Sequence, residues 1–163
     1  MFEVQKPGWF VKRKFLKYIS NDKKSGPLYS SAEAITKTSY QPQPSFVEED
    51  LTVLFNKYLH PIINDRIDRF TLTKIWYQLY GKNTNSFHKY HIHEAVDCQI
   101  CGIYYLRLRD VERTTQFLIE GKSVVPEVGE GDLILFDSRI PHQSPPHRSQ
   151  YDKIVVSFNL DTR

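Results

Sequence analysis

A chain of 163 residues, 40% hydrophobic and 25% charged, has the make-up of one soluble domain with one core. Its net charge of +3 is carried in part by Lys12-Arg13-Lys14, Lys17 and Lys23-Lys24, which read as a solvated basic stretch and not as a nucleic-acid surface. No apolar run approaches the roughly 20 residues of a membrane span, and the N-terminus lacks the basic-apolar-cleavage order of a signal peptide, so a cytoplasmic protein with no membrane partner is expected.

The first 45 residues or so have no clear period. Lys6-Pro7-Gly8-Trp9, Ser25-Gly26-Pro27 and Gln41-Pro42-Gln43-Pro44 are turn signals. Between them, Phe10 to Ile19 and Ala32 to Thr38 fit a helix or a strand equally well. Ser45 opens a clearer helix. It is a good cap, Glu48, Glu49 and Asp50 sit where the helix dipole favours acids, and Val47, Leu51, Leu54, Phe55 and Tyr58 fall at helical spacing. That helix spans Ser45–Leu59 and should end near His60-Pro61, because a residue before proline avoids the helical region. His60 is then a helix-end residue, not a ligand, and Ile62 to Phe70 adds a short second helix.

From Thr71 the pattern changes to strands, and the ten Tyr, ten Phe and two Trp suit a sheet. Leu72 to Tyr80, Phe87 to His93, Gln99 to Leu108, Gln116 to Ile119, Ser123 to Val128, Leu133 to Phe136 and Ile154 to Phe158 make roughly seven strands, separated by turn signals. Short, evenly spaced strands predict a sandwich or barrel. Pro141, Pro145 and Pro146 predict an irregular loop around His142.

His91 and His93 stand two residues apart on an extended segment and so face the same side. His142 follows about 50 residues later, and Lys153 lies 11 residues beyond it. Three histidines from distant segments point to a metal site, and the cation suits an acidic co-substrate. Together they favour a non-heme iron oxygenase over a storage or structural zinc site. His88 precedes the motif at odd spacing and reads as surface, and His147, after Pro146, reads as loop. Cys98 and Cys101 form Cys-x-x-Cys, but on a strand positions i and i+3 face opposite ways, so the sulfurs should diverge. Two reduced strand cysteines are expected.

These residues resemble the iron- and 2-oxoglutarate-dependent dioxygenase superfamily, especially its prolyl-hydroxylase-like branch. Tyr80, the turn after it and His91-Ile92-His93 look like the branch's Tyr, Gly-rich turn and His-x-Asp. Gly102-Ile-Tyr-Tyr-Leu106 looks like its Tyr-Leu strand. Val128 to His142 looks like its Gly-x-Leu-x-x-Phe…His segment, and Asp152 to Asn159 like its last strand. A subgroup of small phage and bacterial oxygenases carries a similar His-x-His and ends in Ser-Phe-Asn.

The resemblance covers about residues 72–160 and implies a mainly β fold: a double-stranded β-helix, or jelly-roll, with a flanking N-terminal helix. Residues 1–70 would support a core over 71–160 within one domain, 1–163. It further implies Fe(II), 2-oxoglutarate and O₂, with an organic or peptidyl side chain as substrate. His91 and His142 would be iron ligands, Lys153 would hold the far carboxylate of 2-oxoglutarate, and Tyr80 and Tyr105 would assist.

The chain departs from the superfamily at two places. His93 stands where the aspartate ligand belongs, so the third ligand is His93 itself, or Asp97 or Glu94, or the site is degenerate. Val155 occupies a position where the superfamily often has a hydroxyl beside its cation. Two other readings remain open. One is a cupin-like metalloprotein using His91, His93, Asp97 and His142 without Lys153. The other is a non-catalytic jelly-roll that binds or builds.

Overall fold

The computed structural model describes residues 3–21, 28–30, 34–40, 45–93, 96–109 and 114–163. In chain order the elements are β1 (Glu3–Gln5), α1 (Trp9–Asn21), β2 (Leu28–Ser30), β3 (Ala34–Thr38), α2 (Phe46–Tyr58), α3 (His60–Asn64), β4 (Thr71–Tyr80), β5 (Ser86–His91), β6 (Ile100–Arg107), β7 (Gln116–Ile119), β8 (Lys122–Val124), β9 (Leu133–Asp137), β10 (His142–His147) and β11 (Lys153–Asp161). The described residues are therefore mainly β, with eleven strands among them where roughly seven were expected. All the pairings are antiparallel, in the order β1-β9-β6-β11-β4-β3-β5-β10-β7-β8, with β2 beside β3.

Alternation through the middle of three central strands builds two faces, with one register slip in each of the β4–β11 and β6–β11 ladders. On β11, Ile154, Val156, Phe158 and Leu160 join Ile75 and Tyr77 of β4 and Tyr104 and Leu106 of β6 in one apolar layer. The helices complete that layer with Val11, Phe15 and Ile19 of α1, Leu51 and Phe55 of α2, and Ile63 of α3. Gly102 is needed here, because a Cβ would meet the Phe158 ring at 2.0 Å. The opposite face gathers Tyr80, Cys101, Ile103, Tyr105, Ile134, Phe136 and Val155 with Phe117 of β7. Phe117 and Phe136 touch edge to face at 4.8 Å, although β7 and β9 lie near opposite ends of the strand order. The sheet thus folds back on itself, and β5, β10 and β7 face the β9-β6-β11-β4 half.

The helix expected over Ser45–Leu59 forms as Phe46–Tyr58, with the Ser45 hydroxyl accepting the Glu48 N–H at 3.3 Å. Pro61 does not end the helical path. It falls in the first turn of α3, where a missing N–H costs nothing. His60 accordingly opens α3 and packs against Phe70 with ring centroids 4.7 Å apart, and α3 is shorter than the helix expected to reach Phe70. The segment that fitted helix or strand equally, Phe10 to Ile19, is helical, and Ala34–Thr38 is a strand. Of the strand expected over Ser123 to Val128 only Ser123 and Val124 pair, with Lys122 before them. Among the described residues no helix is long and apolar enough to cross a membrane.

The larger correction concerns His142, which was expected on a loop. Its segment is strand β10, paired to β5 on one side and β7 on the other. The prolines are accommodated because the register with β5 slips: Ser144 pairs with His88 and His147 with Ser86, so Pro145 and Pro146 occupy a bulge, where no ladder donor is needed.

Candidate functional site

A cavity of about 420 Å³ lies between the two halves of the folded sheet. Strands β4, β6 and β11 give it Trp76, Gln78, Ile103, Lys153 and Ser157, while β5 and β10 give it His88, His91, His142 and Ser144. His93 joins them from just beyond the end of β5, where its N–H donates to the Ser138 carbonyl at 3.0 Å.

His142 pairs directly with His91 across the β5–β10 ladder. Their ring centroids are 4.3 Å apart, and the His93 ring is 5.3 Å from His91 and 5.2 Å from His142. One ring nitrogen from each falls within 4.8 Å of the other two. Each Nδ1 has a partner: the Lys89 carbonyl at 2.9 Å for His91, the Ile140 carbonyl at 3.0 Å for His142, and Asn159 Oδ1 at 3.0 Å for His93. A carbonyl can only accept, so Nδ1 carries the proton and each Nε2 keeps a lone pair. Burial and its histidine neighbours hold His142 at a pKa of about 3, and burial lowers His91 as well. Both rings are neutral near pH 7.

His88, read from spacing as a surface residue, lines the cavity and stacks on His91 at 3.9 Å. The cause is a bulge. Between the pairs His142–His91 and Ser144–His88, β5 advances three residues and β10 two, which turns His88 and His91 to the same side. Burial and the nearby rings lower His88 to about 3. His147, expected in a loop, is the buried last residue of β10, with its Nε2 2.6 Å from the Tyr151 carbonyl.

Deeper in the cavity sits Lys153, 2% exposed. Its ammonium donates to Ser144 Oγ and lies 4.0 Å from the centre of the Tyr80 ring. Burial brings its pKa down from 10.5 to about 7. Val155 carries no hydroxyl, and the one beside the cation comes instead from Ser144 on β10. Ser144 was missed in the sequence because its segment read as a loop; on strand β10 it stands two residues after His142 and so shares its face. Tyr80 lines the cavity, whereas Tyr105 does not. The Tyr105 hydroxyl donates to Thr115 Oγ1 at 2.9 Å, and it is Thr115 that reaches the lining.

No Asp or Glu lines the cavity among the described residues. Asp97 is exposed and outside the histidine group, because the chain turns at Val96-Asp97 and the strand parity that favoured it no longer applies. Glu94 lies outside the described residues. The two cysteines do not diverge as expected. Cys98 precedes β6 and Cys101 is on it, so the two-sided strand geometry fails and the sulfurs lie 3.7 Å apart.

No protein-family model and no curated protein sequence matches the chain. Solved structures do. A prolyl-4-hydroxylase from Pseudomonas putida aligns over 99% of this chain and 92% of its own, at 14% identity and a TM-score of 0.63. A prolyl hydroxylase from Trichoplax adhaerens, solved with a hypoxia inducible factor peptide fragment, covers 99% and 83%, at 17% identity and a TM-score of 0.68. HygX from Streptomyces hygroscopicus, holding nickel, 2-oxoglutarate and hygromycin B, covers 98% and 82%, at 12% identity and a TM-score of 0.70. Across nearly its whole length, this chain has the fold of the prolyl hydroxylases and related 2-oxoglutarate- and Fe(II)-dependent oxygenases.

Proposed function

We propose that the chain is an Fe(II)- and 2-oxoglutarate-dependent oxygenase, a hydroxylase built on the double-stranded β-helix. One observation carries the reading: three imidazoles with Nε2 lone pairs converge at one place in a cavity whose interior holds a buried lysine. The donor set suits Fe(II), since imidazole is a ligand for iron, and the backbone carbonyls behind His91 and His142 fix the ligating tautomer. His91, His93 and His142 would hold the ion. Fe(II) bound there supplies the activation of O₂ that couples decarboxylation of 2-oxoglutarate to oxidation of a C–H bond.

The chain's own residues bind and orient the organic partners. Lys153 would pair with the far carboxylate of 2-oxoglutarate, Ser144 would add a hydrogen bond, and Tyr80 would form a wall of that pocket. The cavity lining includes Tyr40, Trp76, Ile92 and Gln143. Without an acidic side chain among the described lining residues, that surface suits an uncharged group, and a peptidyl side chain is the first class to test. The cupin-like reading gains no support from Asp97, and it leaves the buried Lys153 without a role.

Anaerobic Fe(II) and 2-oxoglutarate added to the metal-free protein should give the visible metal-to-ligand charge-transfer band of the chelate, and air should then yield succinate even without a prime substrate. A protein that binds Fe(II) but gives neither band nor succinate would overturn the proposal.

A further inference from the structure

His93 belongs to a second group of donor atoms. Its ring nitrogen and the sulfurs of Cys98 and Cys101 also lie within 4.8 Å of one another. Both cysteines are buried, at 4% and 2% exposure, and both are free thiols. Asn159 Oδ1 lies 3.0 Å from His93 Nδ1 and 3.7 Å from Cys101 Sγ, so the Nδ1 edge of the ring is turned toward the thiols. The Sγ–Sγ separation of 3.7 Å is informative. Two sulfurs each about 2.3 Å from a tetrahedral zinc ion are about 3.8 Å apart, whereas a disulfide needs about 2.05 Å. The thiols already stand at the edge length of a metal tetrahedron.

We propose that Cys98 Sγ, Cys101 Sγ and His93 Nδ1 form a second metal site, for a thiophilic divalent cation of the zinc class. Two thiolates and one imidazole select such an ion over Fe(II), which an all-imidazole group accepts more readily. Binding releases both thiol protons. It also exchanges the Nδ1 hydrogen bond to Asn159 for the metal and leaves the ring proton on Nε2. His93 then has no lone pair for the group formed with His91 and His142, so the two sites compete for one ring. This competition, unlike the thiolate site itself, rests on the reading of His93 given under the proposed function.

The test uses full-length, metal-free protein kept anaerobic with a phosphine reductant. Cd²⁺ is the probe, and the thiolate-to-metal charge-transfer absorption is the readout. Wild type and the double variant H91A/H142A should both bind one equivalent with that band, and C98S/C101S should show none. A folded H91A/H142A protein with two reduced thiols and no band would overturn the site. C98S/C101S should still take up one Co²⁺ without a thiolate band. If it does not, the three-imidazole reading fails, while a band in H91A/H142A would still support the thiolate site. Loading wild type with Cd²⁺ first should weaken Fe(II) binding by more than about 100-fold, because a ligand is withdrawn and not only its outer-shell support. Unchanged Fe(II) affinity would remove the competition for His93.

Discussion

Lys153→Met separates binding from stability. Bringing the lysine from its ordinary 10.5 down to about 7 corresponds to a penalty of about 5 kcal/mol on its charged form in the folded protein. The unfolded chain binds more protons between those two values. Stability of the ligand-free protein therefore rises as pH goes from 7 to 10.5, and the full cost is present below 7. Methionine removes this cost while keeping most of the side-chain volume. Against it stand the contact with the Tyr80 ring, about 2 kcal/mol when desolvated, and the charge-assisted hydrogen bond to Ser144, about 1.5–3 kcal/mol. The variant should be as stable as wild type at pH 7 or up to about 1.5 kcal/mol more so, with the advantage fading by pH 10.5.

Binding of 2-oxoglutarate should move the other way. Removing one partner of a buried, hydrogen-bonded charge pair costs about 2–5 kcal/mol, or about 30-fold to several thousand-fold in Kd. Near pH 8 wild type should also take up close to one proton per 2-oxoglutarate bound, because the ligand carboxylate recharges the lysine. Anaerobic calorimetry in two buffers of different ionisation heat measures both quantities, and urea titration follows the stability. Unchanged 2-oxoglutarate affinity in Lys153→Met would remove the lysine from the co-substrate pocket.

Further substitutions probe the metal group and the scaffold. His91→Ala and His142→Ala should abolish Fe(II) binding in anaerobic titration, while His93→Asp, which restores a negative charge, should keep or raise it. Fe(II) affinity unmoved by His93→Ala would exclude His93 as a ligand. In chelator, the protein should lose stability as pH falls from 6.5, because the unfolded chain takes up protons that His88 and His142 refuse until about 3. The loss is at most about 2 kcal/mol per histidine at pH 5, and urea midpoints that do not change between pH 7 and 5 would contradict the neutral rings. Gly102→Ala should cost about 1–3 kcal/mol by overpacking, because Phe158 is itself wedged against Phe55 at 5.0 Å. Combining it with Phe158→Leu should recover part of that loss in a double-mutant cycle.

Long-range alternation was readable from the chain. The runs that became β4, β6 and β11 alternate through their middles, with a register slip near one end of each ladder, and each buries both faces against different partners. The helix after Ser45 was equally legible, since its cap, its first-turn acids and its apolar stripe agree. Local departures from regularity were not. A bulge adds one residue to one strand and reverses parity beyond it, and no residue type in Lys89-Tyr90 announces one. His88 was consequently assigned to the wrong side, and Pro145-Pro146 looked like a loop when they form the matching irregularity of β10. The sulfurs of Cys98 and Cys101 converge for a related reason: the strand begins between them.

The same irregularities position the chemistry. A perfectly alternating β5 would bring every second residue to the cavity and put His88 and His91 on opposite faces. The slipped register brings both inward and stacks them, so the wall beside His91 is an uncharged ring and not a solvated strand face. His93, beyond the last pair of β5, is held by the Ser138 carbonyl and by Asn159, on the loop after β9 and on β11. Its orientation is therefore set by the opposite half of the sheet, while His91 and His142 are set by their own ladder and nearby carbonyls. Of the three imidazoles, His93 is the one whose ring can respond to Asn159 and the two thiols without disturbing β5 or β10. An aspartate at position 93 would lack a donor for Asn159 Oδ1. Placing histidine there gives the site a ligand with a second ring nitrogen beside Asn159, in a ring grouped with Cys98 and Cys101.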